Sequence, residues 1–150
     1  PFATDVCVPI SRLADCIIET KKDIDEAKIV APIVGHVGDG NFHVALLIGP
    51  NNFDGDLKVA IGINSRLIQR ALDMGGTCTG EHGVGIEKRE LMCEAFNDKD
   101  IQQQLTIKVA LDPNSLLNPG KVYPILRKCA EEGRVHVHGG KTKFPDIPRF

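Results

Sequence analysis

His36 and His43 flank a Gly38-Asp39-Gly40-Asn41 turn, and a glycine-rich loop further on carries Glu81 beside His82. Two neutral imidazoles and a carboxylate suit a first-row divalent ion, most simply zinc, with positions left open for water or substrate. If Asp39-Gly40 is a two-residue type I′ hairpin turn, Val37 faces Phe42 and His36 faces His43. Both rings then project from one face of an antiparallel ribbon, near enough to share an ion, with Glu81 as the third ligand. In an extended stretch Glu81 and His82 point apart, so one can hold the ion while the other faces the reacting atom. A neutral His82 can accept a proton near neutral pH, and a cation on the substrate oxygen lowers the cost of that transfer. The residues therefore suggest a metal-assisted redox site. The same spacings also fit a hydrogen-bonded cross-strand pair of histidines in a buried sheet, and a His82 that caps the following helix.

The elements that must position these side chains can be read from periodicity. An extended run from Asp5 to Pro9 leads to Ser11 as a helix N-cap, with Leu13, Cys16, Ile17 and Thr20 at helical spacing and a helix expected to about Ala27. Ile29–Val37 and Phe42–Ile48 read as the hairpin, apolar on both faces apart from the histidines. Leu57, Ile61, Asn64, Leu67, Ile68, Ala71 and Leu72 form the stripe of a longer helix that Gly75-Gly76 stops. Five glycines between Gly75 and Gly85 free the backbone for close approach to a ligand. Helices are expected again at Ile86–Phe96 and Asp98–Leu111, before Asp112-Pro113 breaks the pattern. This order predicts an α+β, ferredoxin-like antiparallel sheet with helices on one face. Residues 1–123 read as the domain and 124–150 as a tail rich in proline and glycine turns.

Composition narrows the function classes. The chain has 150 residues, 42% of them hydrophobic, and a net charge of −2, which suits a single core and offers no electrostatic footprint for nucleic acid or an anionic membrane. Its five cysteines are widely spaced without a Cys-x-x-Cys pair, so neither a disulfide framework nor a zinc ribbon is expected. No run of 18 apolar residues and no charged-then-apolar leader is seen. The chain begins at Pro1, so it is expected to be a piece of something longer, whose targeting peptide would lie elsewhere. Some motifs are decoys. Gly140-Lys141-Thr142 lacks the upstream glycine of a phosphate loop, since Val135 stands there, and Gly80, Gly83 and Gly85 have the wrong spacing for a dinucleotide fingerprint. His136 and His138 fit an exposed tail strand, and Cys78 fits a packed thiol.

Four blocks taken together resemble a known family: Thr4-Asp5-Val6-Cys7-Val8-Pro9, Gly35-His36-Val37-Gly38-Asp39-Gly40-Asn41-Phe42-His43, Gly76-Thr77-Cys78-Thr79-Gly80-Glu81-His82-Gly83, and Leu111-Asp112-Pro113 with Asn118-Pro119-Gly120-Lys121. They look like the C-terminal part of the FAD-linked D-2-hydroxyacid dehydrogenases. The first two blocks look most like D-lactate dehydrogenases of the cytochrome-linked type. Met92-Cys93, Phe96-Asn97 and the tail look more like the FAD-linked subunit of bacterial glycolate oxidase. The resemblance implies that this chain is part of the cap domain, that an N-terminal domain outside it holds FAD, and that this segment alone is catalytically silent. It also implies His36, His43 and Glu81 as metal ligands, His82 as the base for the hydroxyl proton while hydride passes to flavin, and Asn118 near the flavin. Members acting on D-2-hydroxyglutarate tend to have a lysine and an asparagine where this chain has Ala3 and Ala45, which favours glycolate or D-lactate as substrate.

Other implied properties follow from the same resemblance. The electron acceptor would be an iron-sulfur subunit, a quinone or cytochrome c. The setting would be the bacterial cytoplasm, with mitochondria as the alternative. A cap segment separated from its enzyme should expose apolar surface, so self-association is expected. D-2-hydroxyglutarate oxidation is the competing substrate assignment. An actin-interacting module without activity is the competing class, and nothing in the charge or aromatic pattern favours it.

Overall fold

A computed structural model describes residues 1–124. The chain falls into two compact units, one running from Pro1 to Gly83 and the other starting at Val84.

In the first unit the elements are β1 (Phe2–Ala3), β2 (Val6–Cys7), α1 (Ile10–Ala27), β3 (Ile33–His36), β4 (Asn41–Leu46) and α2 (Phe53–Asp73). β4 is central: it pairs antiparallel with β3 on one side and with β1 and β2 on the other. Phe2 pairs with Leu46, Ala3 with Ala45, Val6 with Phe42 and Cys7 with Asn41, so one register runs through β1 and β2 and sets Asp5 opposite His43. The ladder is broken at Thr4 for a local reason. Its hydroxyl accepts from the Val44 N–H at 2.9 Å, which leaves its carbonyl free to face the His43 ring. After α2 the chain returns beside this broken strand, where Thr77 forms a single antiparallel bridge with Cys7. The unit is thus α+β and ferredoxin-like, with the segment after α2 reduced from a strand to the single Thr77 bridge.

Alternation along β4 separates core from site. Phe42, Val44 and Leu46 are fully buried on the helix side, with Leu13, Cys16, Thr20 and Ile24 of α1 and Ala60, Ile63, Leu67 and Ala71 of α2. Truncating Phe42 in such a core costs about 3–5 kcal/mol. Asn41, His43 and Ala45 take the opposite face. The two helices are also clasped by Arg70, which donates to Glu19 at 2.9 Å, Asp23 at 2.8 Å and the Thr20 hydroxyl at 2.9 Å. Burial pushes the Asp23 carboxyl up, but hydrogen bonds from Arg70 and Arg66 outweigh it and hold the group below its usual range.

Several expected boundaries move. The first helix starts at Ile10, with Pro9 at its N-cap and no side-chain cap, so Ser11 does not cap it; the Pro9 carbonyl accepts from the Arg12 N–H at 2.7 Å instead. β3 is shorter than its apolar run because Pro32 has no N–H to give, although the carbonyls of Pro32 and Val30 still accept from Ala45 and Leu47. The hairpin register also differs. Val34 faces His43 and His36 faces Asn41, because the loop is a 3₁₀ turn at Val37–Asp39 closed by Gly40 at φ 75°, not a two-residue turn. A side chain on Gly40 would meet the Val8 carbonyl at 2.0 Å, so that position requires glycine.

In the second unit α3 is a single turn, Met92–Ala95, preceded by a 3₁₀ turn at Arg89–Leu91, where the apolar pattern predicts a helix over 86–96. Only Met92 of that run is buried, too little packing to offset helix nucleation. α4 (Asp98–Leu111) forms as expected, capped by the Asn97 carboxamide oxygen accepting from Lys99 and Asp100 N–H. The tail motifs at His136, His138 and Gly140-Lys141-Thr142 lie outside the described residues.

Candidate active site

The site lies in the first unit, on the sheet face away from the helices. A register shift of two residues keeps a side chain on its original face, so His36 and His43 still share that face, placed diagonally and not opposed. The glycine-rich loop brings Glu81 to them. Its carboxylate lies 2.9 Å from His43 Nε2, 3.7 Å from His36 Nε2 and 3.8 Å from His82 Nε2. The His82 ring stacks on His43, with centroids 4.8 Å apart and planes 9° from parallel. All four residues singled out by spacing therefore converge.

His43 is the anchored member, with its side chain 13% exposed, whereas His36, Glu81 and His82 are about half open or more. Its Nδ1 stands 3.0 Å from the Thr4 carbonyl. A carbonyl only accepts, so Nδ1 carries the hydrogen and Nε2 turns a lone pair toward Glu81. Two electron-pair-bearing atoms 2.9 Å apart need a positive centre between them, either a shared proton or a metal ion. An imidazole oriented by a backbone carbonyl through its other nitrogen is the usual arrangement of a metal-binding histidine. His43 Nε2 and the Glu81 carboxylate could therefore take a cation between them, with His36 Nε2 on the same face 3.7 Å from that carboxylate.

Among the described residues, Asp5, His43 and His82 place potential ligand atoms within 4.8 Å of one another. Asp5 is spoken for, however. Its buried carboxylate accepts from Asn41 Nδ2 at 2.9 Å, the Thr79 hydroxyl at 2.7 Å, and the N–H groups of Gly80 at 2.9 Å, Glu81 at 3.2 Å and His82 at 3.0 Å. These five donors occupy the four or so lone-pair sites of a carboxylate, so Asp5 has little left to offer an ion. Asn41 also donates to the Val6 carbonyl, and its own Oδ1 is buried without a protein partner. Gly80 sits so close that a Cβ there would fall 1.7 Å from Asn41 Nδ2.

Spacing pointed to neither Asp5 nor Asn41 as part of the site. The available signal was an acid immediately before the apolar run Val6-Cys7-Val8, a poor place for a charge without dedicated donors. Asn118 lies in the second unit, in a turn where its carbonyl accepts from the Lys121 N–H. Cys78 is buried, in keeping with a packed thiol.

Fold and site together define an α+β unit carrying a histidine and carboxylate cluster. Residues 1–122 match the family described as FAD linked oxidases, C-terminal domain, and the chain belongs to it. It is 47% identical over 131 residues to a probable mitochondrial D-lactate dehydrogenase of Danio rerio, covering 87% of this chain and 26% of that protein. It is 41% identical over 122 residues to the mitochondrial D-lactate dehydrogenase [cytochrome] 1 of Saccharomyces cerevisiae, covering 81% and 20%. With glycolate oxidase subunit GlcD of Escherichia coli it shares 42% over 117 residues, covering 78% and 23%. The chain thus spans about a quarter of the length of these relatives. No helix among the described residues is long and apolar enough to cross a membrane.

Proposed function

We propose that this chain supplies the substrate-side half of the active site in a flavoenzyme that oxidises a small D-2-hydroxy acid, glycolate or D-lactate, to the 2-keto acid. The observation that carries this reading is the meeting of Glu81 with three imidazoles on one open sheet face. FAD, bound mainly outside this chain, would supply the acceptor for the substrate's α-hydrogen with its electron pair, and a divalent ion such as zinc, held by His36, His43 and Glu81, would supply positive charge at the substrate oxygens. His82 takes the hydroxyl proton at an imidazole nitrogen; its ring, stacked on His43, is half exposed and free to meet a substrate. Asn118 is assigned to the flavin side by family resemblance.

The small-substrate assignment has support in the register. Ala3 and Ala45 are direct cross-strand partners next to the Asp5 and His43 pair, so the wall beside the site presents two methyl groups and no charge for a second carboxylate. The names of the relatives, D-lactate dehydrogenase and glycolate oxidase subunit, agree with that class. D-2-hydroxyglutarate remains the competing substrate, since a dehydrogenase of that name from Xanthomonas citri is 32% identical over 126 residues. The acceptor would be an iron-sulfur subunit, quinone or cytochrome c, in a bacterial or mitochondrial setting.

The test is anaerobic bleaching of the flavin in the full-length enzyme on adding glycolate, D-lactate, L-lactate or D-2-hydroxyglutarate. Bleaching by a small D-2-hydroxy acid is expected. Bleaching by D-2-hydroxyglutarate alone would overturn the substrate, and none with any acid would overturn the reaction.

A further inference from the structure

We infer that Asp5 is a positioning residue: its buried carboxylate is the mould on which the loop carrying Glu81 and His82 is cast. This rests on the roles proposed above for those two side chains. Asp5 itself reaches neither substrate nor metal in this account; it acts through the backbone of the loop.

Three successive amides, Gly80, Glu81 and His82, point at one carboxylate, together with the Thr79 hydroxyl. Such a concave run of N–H groups is an anion-binding nest, here filled by a side chain 74–77 residues earlier in the chain. Fixing three consecutive N–H vectors fixes the backbone on which the Glu81 and His82 side chains are mounted. The same carboxylate lies opposite His43 in the sheet register, with Oδ1 3.7 Å from the ring nitrogen that faces Thr4. One group thereby indexes the loop against the anchored histidine. The side chains of Glu81 and His82 also meet His43, but the backbone of the loop is held to the sheet by Asp5, the Thr77 bridge to Cys7 fixing only its entrance. Gly80 is required by the same contact, since a side chain there would collide with Asn41 and stand 2.8 Å from Asp5 Oδ1.

An isosteric Asp5→Asn variant keeps one acceptor oxygen but turns an NH₂ toward the amides. In the full-length enzyme it is expected to raise hydrogen exchange at residues 80–82 while α1 and α2 stay protected. Metal content and the rate of flavin reduction should each fall about 10- to 100-fold, with a smaller change in KM. Thr79→Val removes one of the donors and should give the same pattern in milder form, which keeps the inference testable if Asp5→Asn does not fold. Faster loop exchange with unchanged metal content and flavin reduction would overturn it. So would a lost rate with unchanged exchange, because Asp5 would then act directly. If the wild-type enzyme reduces its flavin with no 2-hydroxy acid, the functional reading fails, but exchange and metal content still decide whether Asp5 orders the loop.

Discussion

Two loops in this protein are each built on a buried aspartate, and they differ in where the aspartate comes from. Residues 79–82 are gathered by Asp5, which sits between β1 and β2 at the other end of the unit's sequence. Residues 116–117 are gathered by Asp112, whose carboxylate accepts their N–H groups at 2.9 Å from four and five residues away, while Lys108 one helical turn earlier donates to it as well. The local loop can form as soon as its helix ends. The distant one forms only when β1 and β2 have paired with β4, so its geometry is a property of the finished sheet. Through this coupling the sheet that anchors His43 also sets Glu81 and His82.

The contrast can be tested most severely at the reacting groups. His82→Asn in the full-length enzyme should slow flavin reduction about 10²- to 10⁴-fold with metal content intact, measured by stopped-flow bleaching and elemental analysis. Glu81→Gln should instead lose the metal. If either variant keeps the wild-type rate, the distant loop does not carry the chemistry. Gly80→Ala places a methyl group inside the Asn41 and Asp5 contact and should cost about 1–3 kcal/mol of stability in denaturant unfolding, with loop exchange accelerated. A smaller loss, about 1–2 kcal/mol, is expected for Arg70→Ala, which breaks the clasp between α1 and α2 without touching the site face.

The local loop should show a pH signature. The Lys108 ammonium, then the Leu117 and Leu116 amides, hold the Asp112 carboxyl below its usual range. A carboxyl lowered by folding stabilises fully above its unfolded value, and that contribution is lost as pH falls through the folded value. Asp112→Asn should therefore lower the unfolding midpoint near neutral pH, and the gap from wild type should close below about pH 4, as chemical denaturation at a series of pH values would report. A gap that widens in acid would reverse the assignment.

How legible these features were from sequence follows the same division. Asp112-Pro113 marked the end of α4 because proline acts on its immediate neighbour, whereas the Asn97 cap at its start emerged only from the structure. Helical stripes pointed to α1 and α2, and apolar runs on either side of the Gly-Asp-Gly-Asn turn pointed to the hairpin. The clustering of His36, His43, Glu81 and His82 was also foreseen, since a register error of two residues leaves each side chain on its face. The turn itself was misread because Gly-Asp-Gly-Asn suits both a two-residue and a longer loop, and packing of Gly40 against Val8 decides between them. Asp5 was missed as part of the site because its partners in the loop lie more than seventy residues away, where no local pattern reaches.

The central claim is that His36, His43 and Glu81 hold a cation that His82 needs in order to take the substrate proton. Its most direct test is the rate of anaerobic flavin bleaching by D-lactate or glycolate in the full-length enzyme, stripped of metal by a chelator and then restored with zinc. The account predicts that stripping abolishes bleaching and that zinc returns it in wild type but not in Glu81→Gln. Undiminished bleaching by the stripped enzyme would contradict it.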